Sequence, residues 1–381
     1  MKKLDKKNII SRRIQSDQNK ALNLFGQKAL DSMGLPGLFK YGRGAKVYDY
    51  DGKEYTDYFL NDGSLILGHS HRNVVLNIKK TAERGTGFGS YSREAVWLAS
   101  EIQNRFSYVE KISFLSSSQD MLNALQSSKK SHIITFQSEF LNNNPSYIQL
   151  PYNDSNKLID VFTKDHDKIS GIIMPMAVLQ DKLILGDKDF IKLARDLTLK
   201  YSSFLVFDET LTGFRTSNLA RHLELSINPD AIFLDGIISA GFPFCVLAST
   251  KKFVYNIENL SIMQSAQLTN PIILRASLMT IRSLNKDYLN SLTKQTIDWQ
   301  ERINNAFASR NMLCKVVHYG NMFYLELKDD FCYTNFSNHM LENKILWSRS
   351  NPRKFFLTKM HCNKDLDKLI EVVLKAVLKE K

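Results

Sequence analysis

Phe204-Leu-Val-Phe-Asp-Glu-Thr-Leu-Thr-Gly-Phe-Arg215 decides the fold. Four apolar residues lead directly into two carboxylates and then a glycine-bearing turn. A run this short, apolar at successive positions, suits a strand covered on both faces, as in the parallel sheet of an α/β domain. Outward from it the same pattern recurs: Lys111-Ile-Ser-Phe-Leu, His132-Ile-Ile-Thr-Phe, Gly171-Ile-Ile-Met and Ala231-Ile-Phe-Leu, with helical segments between them. The spacing predicts a mainly parallel sheet with helices on each side, a three-layer αβα domain. Ligands on such sheets sit beyond the carboxyl ends of the strands, so the residues after each run are the ones to inspect.

The flanks read differently. Residues 1–45 show helical pattern without strand alternation and make an N-terminal arm closed by Gly34-Leu-Pro-Gly37. Ala45-Lys-Val-Tyr-Asp-Tyr and Lys53-Glu-Tyr-Thr-Asp-Tyr-Phe flank Asp51-Gly52, a hairpin signal. We take 46–71 as this hairpin and its junction to a small domain, 72–282 as the large α/β domain, and 283–381 as a small α+β domain. That last stretch holds strands at Val316–Tyr319 and Met322–Leu327 and an amphipathic helix from Lys364 to Leu378. A chain of 381 residues exceeds what one core usually organises.

Composition excludes several classes. With 43% hydrophobic and 24% charged residues the chain is globular rather than disordered. No apolar run approaches the roughly 20 residues of a membrane helix, and Met1-Lys-Lys-Leu leads into more charge, so the expectation is a cytoplasmic protein with no membrane partner. Cys245, Cys314, Cys332 and Cys362 form no C-x-x-C pair, which argues for buried free thiols and against a structural metal site. The net charge of +12 concentrates early, at Lys2, Lys3, Lys6, Lys7, Arg12, Arg13 and Lys20. No basic stripe alternates with aromatics, so a solvated or subunit-packing arm is preferred to nucleic-acid binding.

Four strand ends carry polar chemistry. Ser116, Ser117 and Ser118 precede a helix, where serine either caps the helix or helps hold an anion. Asp208 and Glu209 are either salt-bridged end groups or the charge that keeps a heteroaromatic nitrogen protonated. Phe140 fills core or lies flat on a bound ring. The fourth end, Pro229-Asp-Ala-Ile-Phe-Leu-Asp-Gly-Ile-Ile-Ser-Ala-Gly-Phe-Pro243, carries no lysine.

At this point the sequence resembles the class III aminotransferases, including the glutamate-1-semialdehyde aminomutases. Arg43-Gly-Ala-Lys-Val-Tyr-Asp-Tyr-Asp-Gly-Lys-Glu-Tyr, Ile66-Leu-Gly-His-Ser-His, Arg84-Gly-Thr-Gly-Phe-Gly, Leu150-Pro-Tyr-Asn-Asp, Phe207-Asp-Glu-Thr-Leu-Thr-Gly-Phe-Arg, Thr269-Asn-Pro and the stretch around His361 and Asp365 occur in the family's order. The resemblance implies fold type I of the pyridoxal-phosphate (PLP) enzymes. It places Ser117 and Ser118 on the phosphate-holding turn, Phe140 over the pyridine ring and Asp208 at the pyridine nitrogen. It also implies losses. Gly236 falls where the family has its Schiff-base lysine, leaving no catalytic residue to name. Ala266 replaces a phosphate-binding threonine of the neighbouring subunit, and only Leu141–Leu150 remains of a long segment that closes over the substrate.

The expected cofactor is therefore none, or PLP or pyridoxamine phosphate (PMP) held without a covalent bond. Three functions follow from the resemblance: a structural or regulatory protein, homodimeric or paired with an active paralogue; an enzyme using non-covalent PMP, as sugar dehydratases do; or a pocket turned to another small phosphorylated ligand.

Overall fold

The computed structural model describes residues 38–125, 130–136, 145–255, 270–327, 332–348 and 351–379. The basic arm, Phe140 and Ala266 lie outside them. The chain divides into two compact units, one formed by Met1–His71 with Leu292–Lys381 and the other by Arg72–Ser291.

The first unit begins with β1 (Phe39–Arg43), β2 (Lys46–Asp49) and β3 (Glu54–Asp57). β2 and β3 pair antiparallel across Asp51-Gly52, with Gly52 at φ +80°, as the hairpin signal required.

In the second unit come helices α1 (Arg72–Ala82) and α2 (Arg93–Arg105), then β4 (Lys111–Leu115), α3 (Ser118–Leu125), β5 (His132–Phe136), β6 (Tyr147–Leu150), α4 (Ser155–Asp165) and β7 (Ile169–Pro175). A small hairpin of β8 (Ala177–Leu179) and β9 (Leu183–Leu185) precedes α5 (Lys188–Lys200), β10 (Phe204–Asp208), α6 (Arg221–Leu225) and β11 (Ala231–Leu234). A 3-10 turn at Gly236–Ser239 leads to β12 (Cys245–Ser249), α7 (Lys251–Tyr255) and α8 (Pro271–Ser283). The main sheet has the order β4-β12-β11-β10-β7-β5-β6, and β12 alone runs against its neighbours. All five apolar runs read from the sequence are strands of this sheet.

Helix starts in this unit are set by side chains that the sequence displays. The carboxylates of Asp154 and Asp187 accept from backbone N–H groups of α4 and α5, and the Asn270 side chain accepts from Ile272 N at 2.9 Å, with Pro271 as first helical residue of α8. One core cluster joins Met121, Leu122 and Leu125 of α3 to Leu115, Val206 and Phe233 of the sheet. In the sheet itself Gly171 of β7 lies opposite Phe204 of β10, and a Cβ there would come within 2.1 Å of the Phe204 ring.

The chain returns to the first unit through α9 (Lys286–Ala308), followed by β13 (Lys315–Tyr319), β14 (Met322–Glu326), α10 (Tyr333–Glu342), β15 (Ile345–Leu346), β16 (Lys354–Phe356) and α11 (Asn363–Lys379). β15 joins β3 in parallel, giving the sheet β1-β2-β3-β15; β13, β14 and β16 form a second. The core here is aromatic. Tyr58 stacks on His361 at 4.6 Å, and Trp347 stacks on Phe355 at 4.6 Å.

The expectation of buried thiols holds for Cys245 only. Cys314 is half-buried, and Cys332 and Cys362 are exposed, because Cys332 and Cys362 precede α10 and α11 on the surface rather than sitting on an inward face. Among the described residues no helix is long and apolar enough to cross a membrane, and no group of side chains could hold a metal ion.

Two predictions follow from packing. Gly171→Leu must push Phe204 aside, and overpacking of this kind costs roughly 1–3 kcal/mol, read as a lower urea midpoint. His361 is buried with Nε2–H donating to Asp57 O at 3.1 Å and Nδ1 accepting from Thr358 N at 3.1 Å, so both nitrogens are committed to the neutral ring. Burial lowers its pKa to about 4 from the ordinary 6.5. The unfolded chain thus takes up this proton first, and stability is full above about pH 6.5 and falls as pH drops toward 4, by on the order of 3 kcal/mol. Urea titrations across that range should show the fall in wild type and a flatter profile in His361→Gln.

Candidate functional site

Because β4, β11, β10, β7, β5 and β6 all point the same way, their carboxyl ends share one edge. Ser116–Ser118, Asp235-Gly236 and Asp208 all lie along it. β12 starts at this edge, with Cys245 paired to Leu115, and ends at the opposite one, with Ser249 paired to Lys111. Lys251 and Lys252 follow Ser249 and belong to that far edge; a five-residue strand separates the edges by about 15 Å.

Asp208 closes β10. Its Oδ1 accepts from Thr210 N at 2.9 Å, and its backbone carbonyl accepts from Met176 N at 2.9 Å. Desolvation raises its pKa above the usual carboxylate value, against the hydrogen bonds from Thr210, with the charges of Asp235 and Glu209 adding to the rise. An acid in this state gains most from a cationic partner, which is the property the resemblance assigns to it.

Glu209, its neighbour, is a different kind of group. It is fully buried and its carboxylate accepts from His222 Nδ1 at 2.7 Å, His222 N at 3.0 Å, Arg221 N at 3.1 Å and the Thr212 hydroxyl. His222 Nε2 in turn meets the Tyr108 hydroxyl at 2.8 Å. Desolvation opposes ionisation of Glu209, yet the His222 and Thr212 contacts outweigh it and hold the carboxyl below its ordinary value. Of the two roles the sequence left open for the Asp208–Glu209 pair, Glu209 takes the salt-bridged one. Neither His222 nor Tyr108 lies near Glu209 along the chain, so no sequence pattern marks them as its partners.

The serine turn resolves toward capping. Asp120 N points to Ser117 Oγ at 3.4 Å, and the Asp120 Oδ2 accepts from Ser117 N at 3.1 Å, from Ser116 N at 3.0 Å and from Ser116 Oγ at 2.5 Å. This is a reciprocal capping box extended by one residue. The S-x-x-D spacing was visible in the sequence; that Asp120 would reach back to Ser116 was not. Ser118 is exposed at the first turn of α3.

Gly236 follows β11 and opens the 3-10 turn. Its φ is +63°, and its N–H donates to the Asp235 side chain at 2.6 Å. A Cβ at this position would lie 3.1 Å from Thr210 O. Of the segment Leu141–Leu150, residues 147–150 are spent on the edge strand β6.

The fold, which sets a half-buried acid at the end of β10 and a turn after β11, is fold type I of the PLP-dependent enzymes. Several solved structures share it. An omega-transaminase from Sphaerobacter thermophilus superposes with TM-score 0.83 at 16% identity, covering 96% of this chain and 97% of that one. A lysine-to-alanine variant of a glutamate-1-semialdehyde aminomutase from Pseudomonas aeruginosa PAO1, in complex with PMP, gives TM-score 0.83 at 15% identity with 98% of each chain covered. In sequence, glutamate-1-semialdehyde 2,1-aminomutase 1 of Staphylococcus carnosus (strain TM300) is 27% identical over 90% of this chain and 91% of its own length. The model of the aminotransferase class-III family matches residues 120–376. The chain belongs to the class III aminotransferase family, a PLP- and PMP-dependent one.

Glu209 is the group on which the local structure rests. Glu209→Ala leaves His222, two backbone N–H groups and Thr212 without their acceptor in a dry interior. The loss is expected to be roughly 3–5 kcal/mol, read by urea unfolding of the full chain.

Proposed function

We propose that this chain is a class III homologue that has left the family's lysine chemistry and acts as a structural or regulatory protein, as a homodimer or beside an active paralogue. The observation that carries this reading is Gly236. The resemblance aligns it with the Schiff-base lysine without a gap, and a glycine has no side chain to bond a cofactor or move a proton. Its backbone supports the same reading: a left-handed φ costs an L-residue roughly 1–2 kcal/mol, and Thr210 O crowds the Cβ position. Lys251 and Lys252 are the next lysines along the chain and follow the end of β12 at the opposite edge.

The residues present fit a PLP-type cofactor only in part. Asp208 suits a pyridinium nitrogen. Of the two serines that the resemblance places on the phosphate, Ser117 already gives its N–H to Asp120, while Ser118 is exposed at the first turn of α3. Phe140 and Ala266 lie outside the described residues.

A second reading keeps an enzyme that binds PMP without a covalent bond. Asp208 favours it, together with the relative that is seen with PMP although a lysine has been changed to alanine. The third reading, another phosphorylated ligand, needs the same occupied donors and has no observation of its own.

The test is spectroscopic. Full-length protein incubated with PLP, reduced with borohydride and digested should show no lysine-linked cofactor by mass spectrometry, and no amino-group transfer with common amino donors. A lysine adduct in wild type refutes the proposal. Gly236→Lys is expected to lose about 1–2 kcal/mol of stability and to develop no aldimine absorbance band.

A further inference from the structure

We infer that the anion cradle at the start of α3 is filled by the chain's own Asp120 carboxylate, so that this site rejects phosphate-bearing ligands, PLP and PMP included. The inference concerns the phosphate end of the site and does not depend on the reading of Gly236.

Three donors converge on one oxygen of Asp120: Ser116 N at 3.0 Å, Ser116 Oγ at 2.5 Å and Ser117 N at 3.1 Å. Backbone N–H groups and hydroxyls before a helix are the kind of donor a phosphate uses, and of the two serines that the resemblance places there Ser117 already gives its N–H to Asp120. Here an anion is already on them, built into the first turn of the helix. The carboxyl is partly buried, which disfavours its charge, but the hydrogen bonds from Ser116 and Ser117 more than offset this and hold its pKa below the ordinary aspartate value. Asp120 is therefore ionised at neutral pH, and its donors are engaged by a full negative charge.

A phosphate entering this turn would have to take those donors from Asp120 and then lie beside the displaced carboxylate. Two anions sharing one donor set repel, and neither keeps a full complement of hydrogen bonds. The surroundings add to the barrier. Burial pushes the Cys245 thiol well above its ordinary pKa, and the charges of Asp235, Asp120 and Asp208 push it further, so three carboxylates bear on the first residue of β12. Leu115, paired with Cys245, immediately precedes Ser116.

The inference separates this chain from a protein that has lost only its lysine. Such a protein would still take up PMP; this one should not until Asp120 is changed. Full-length wild type, Asp120→Ala and Asp120→Asn are titrated with PMP and with inorganic phosphate by calorimetry, with circular dichroism confirming the fold of each. Asparagine keeps an acceptor oxygen for the turn while removing the charge, so it reports on the charge even where alanine weakens α3. The expected result is at least a tenfold gain in PMP affinity for Asp120→Ala, a smaller gain for Asp120→Asn, and parallel gains for phosphate. Wild type binding PMP as tightly as the folded variants would overturn the inference, as would folded variants that gain nothing. Binding is read here without chemistry, so a lysine adduct found by mass spectrometry would count against the Gly236 reading alone.

Discussion

The buried carboxylate of Glu209 is the interaction from which the rest of the edge takes its shape. Its backbone N–H is fixed to Phe233 O of β11 at 3.0 Å, and its carbonyl accepts from Thr212 N and Gly213 N. Its side chain gathers α6 through His222 and Arg221. With both ends of the residue committed, the loop after β10 is tied to β11 and α6. Thr210 follows it directly, and Thr210 O is the atom that confronts the Cβ position of Gly236; Asp208 before it is held as well by the pairing of β10 with β7 and β11. A charge without access to solvent thereby sets the geometry of a site it does not face. Removing a well-paired buried charge is among the most damaging single changes a protein can suffer, and here the damage would reach the sheet edge itself.

Much of the fold could be read from the chain because the physics involved is local. Runs such as Ala231–Leu234 are apolar on both faces only when covered on both sides, and Asp154, Asp187 and Asn270 announce helix starts by side-chain chemistry that acts within three residues. Strand direction was not legible in the same way. The run Cys245–Ser249 looks like its parallel neighbours, and nothing in its residues says that it reverses; that depends on the 3-10 turn and on pairing with β4, more than 120 residues earlier in the chain. The same limit applies to the site. Asp208 was identifiable from its place after an apolar run, whereas the Glu209–His222–Tyr108 chain joins positions 108, 209 and 222, which only folding brings together.

The serine turn shows a subtler form of ambiguity. Ser117 at a helix start satisfies a capping rule and an anion-binding rule equally, because both use the same unpaired N–H groups. The choice between them was made by a residue three positions further on. Asp120 has the length to return to Ser116 as well as Ser117, and with it the turn is complete within the protein.

That completeness has a kinetic and thermodynamic side. A carboxylate attached to the helix it caps is an intramolecular competitor, present at an effective concentration in the millimolar range or above whatever the solution holds. Phosphate metabolites must compete with it at every encounter, and dilution never weakens it. The α3 turn thus behaves as an already liganded receptor whose ligand cannot diffuse away, and changes in cellular phosphate level should pass it by.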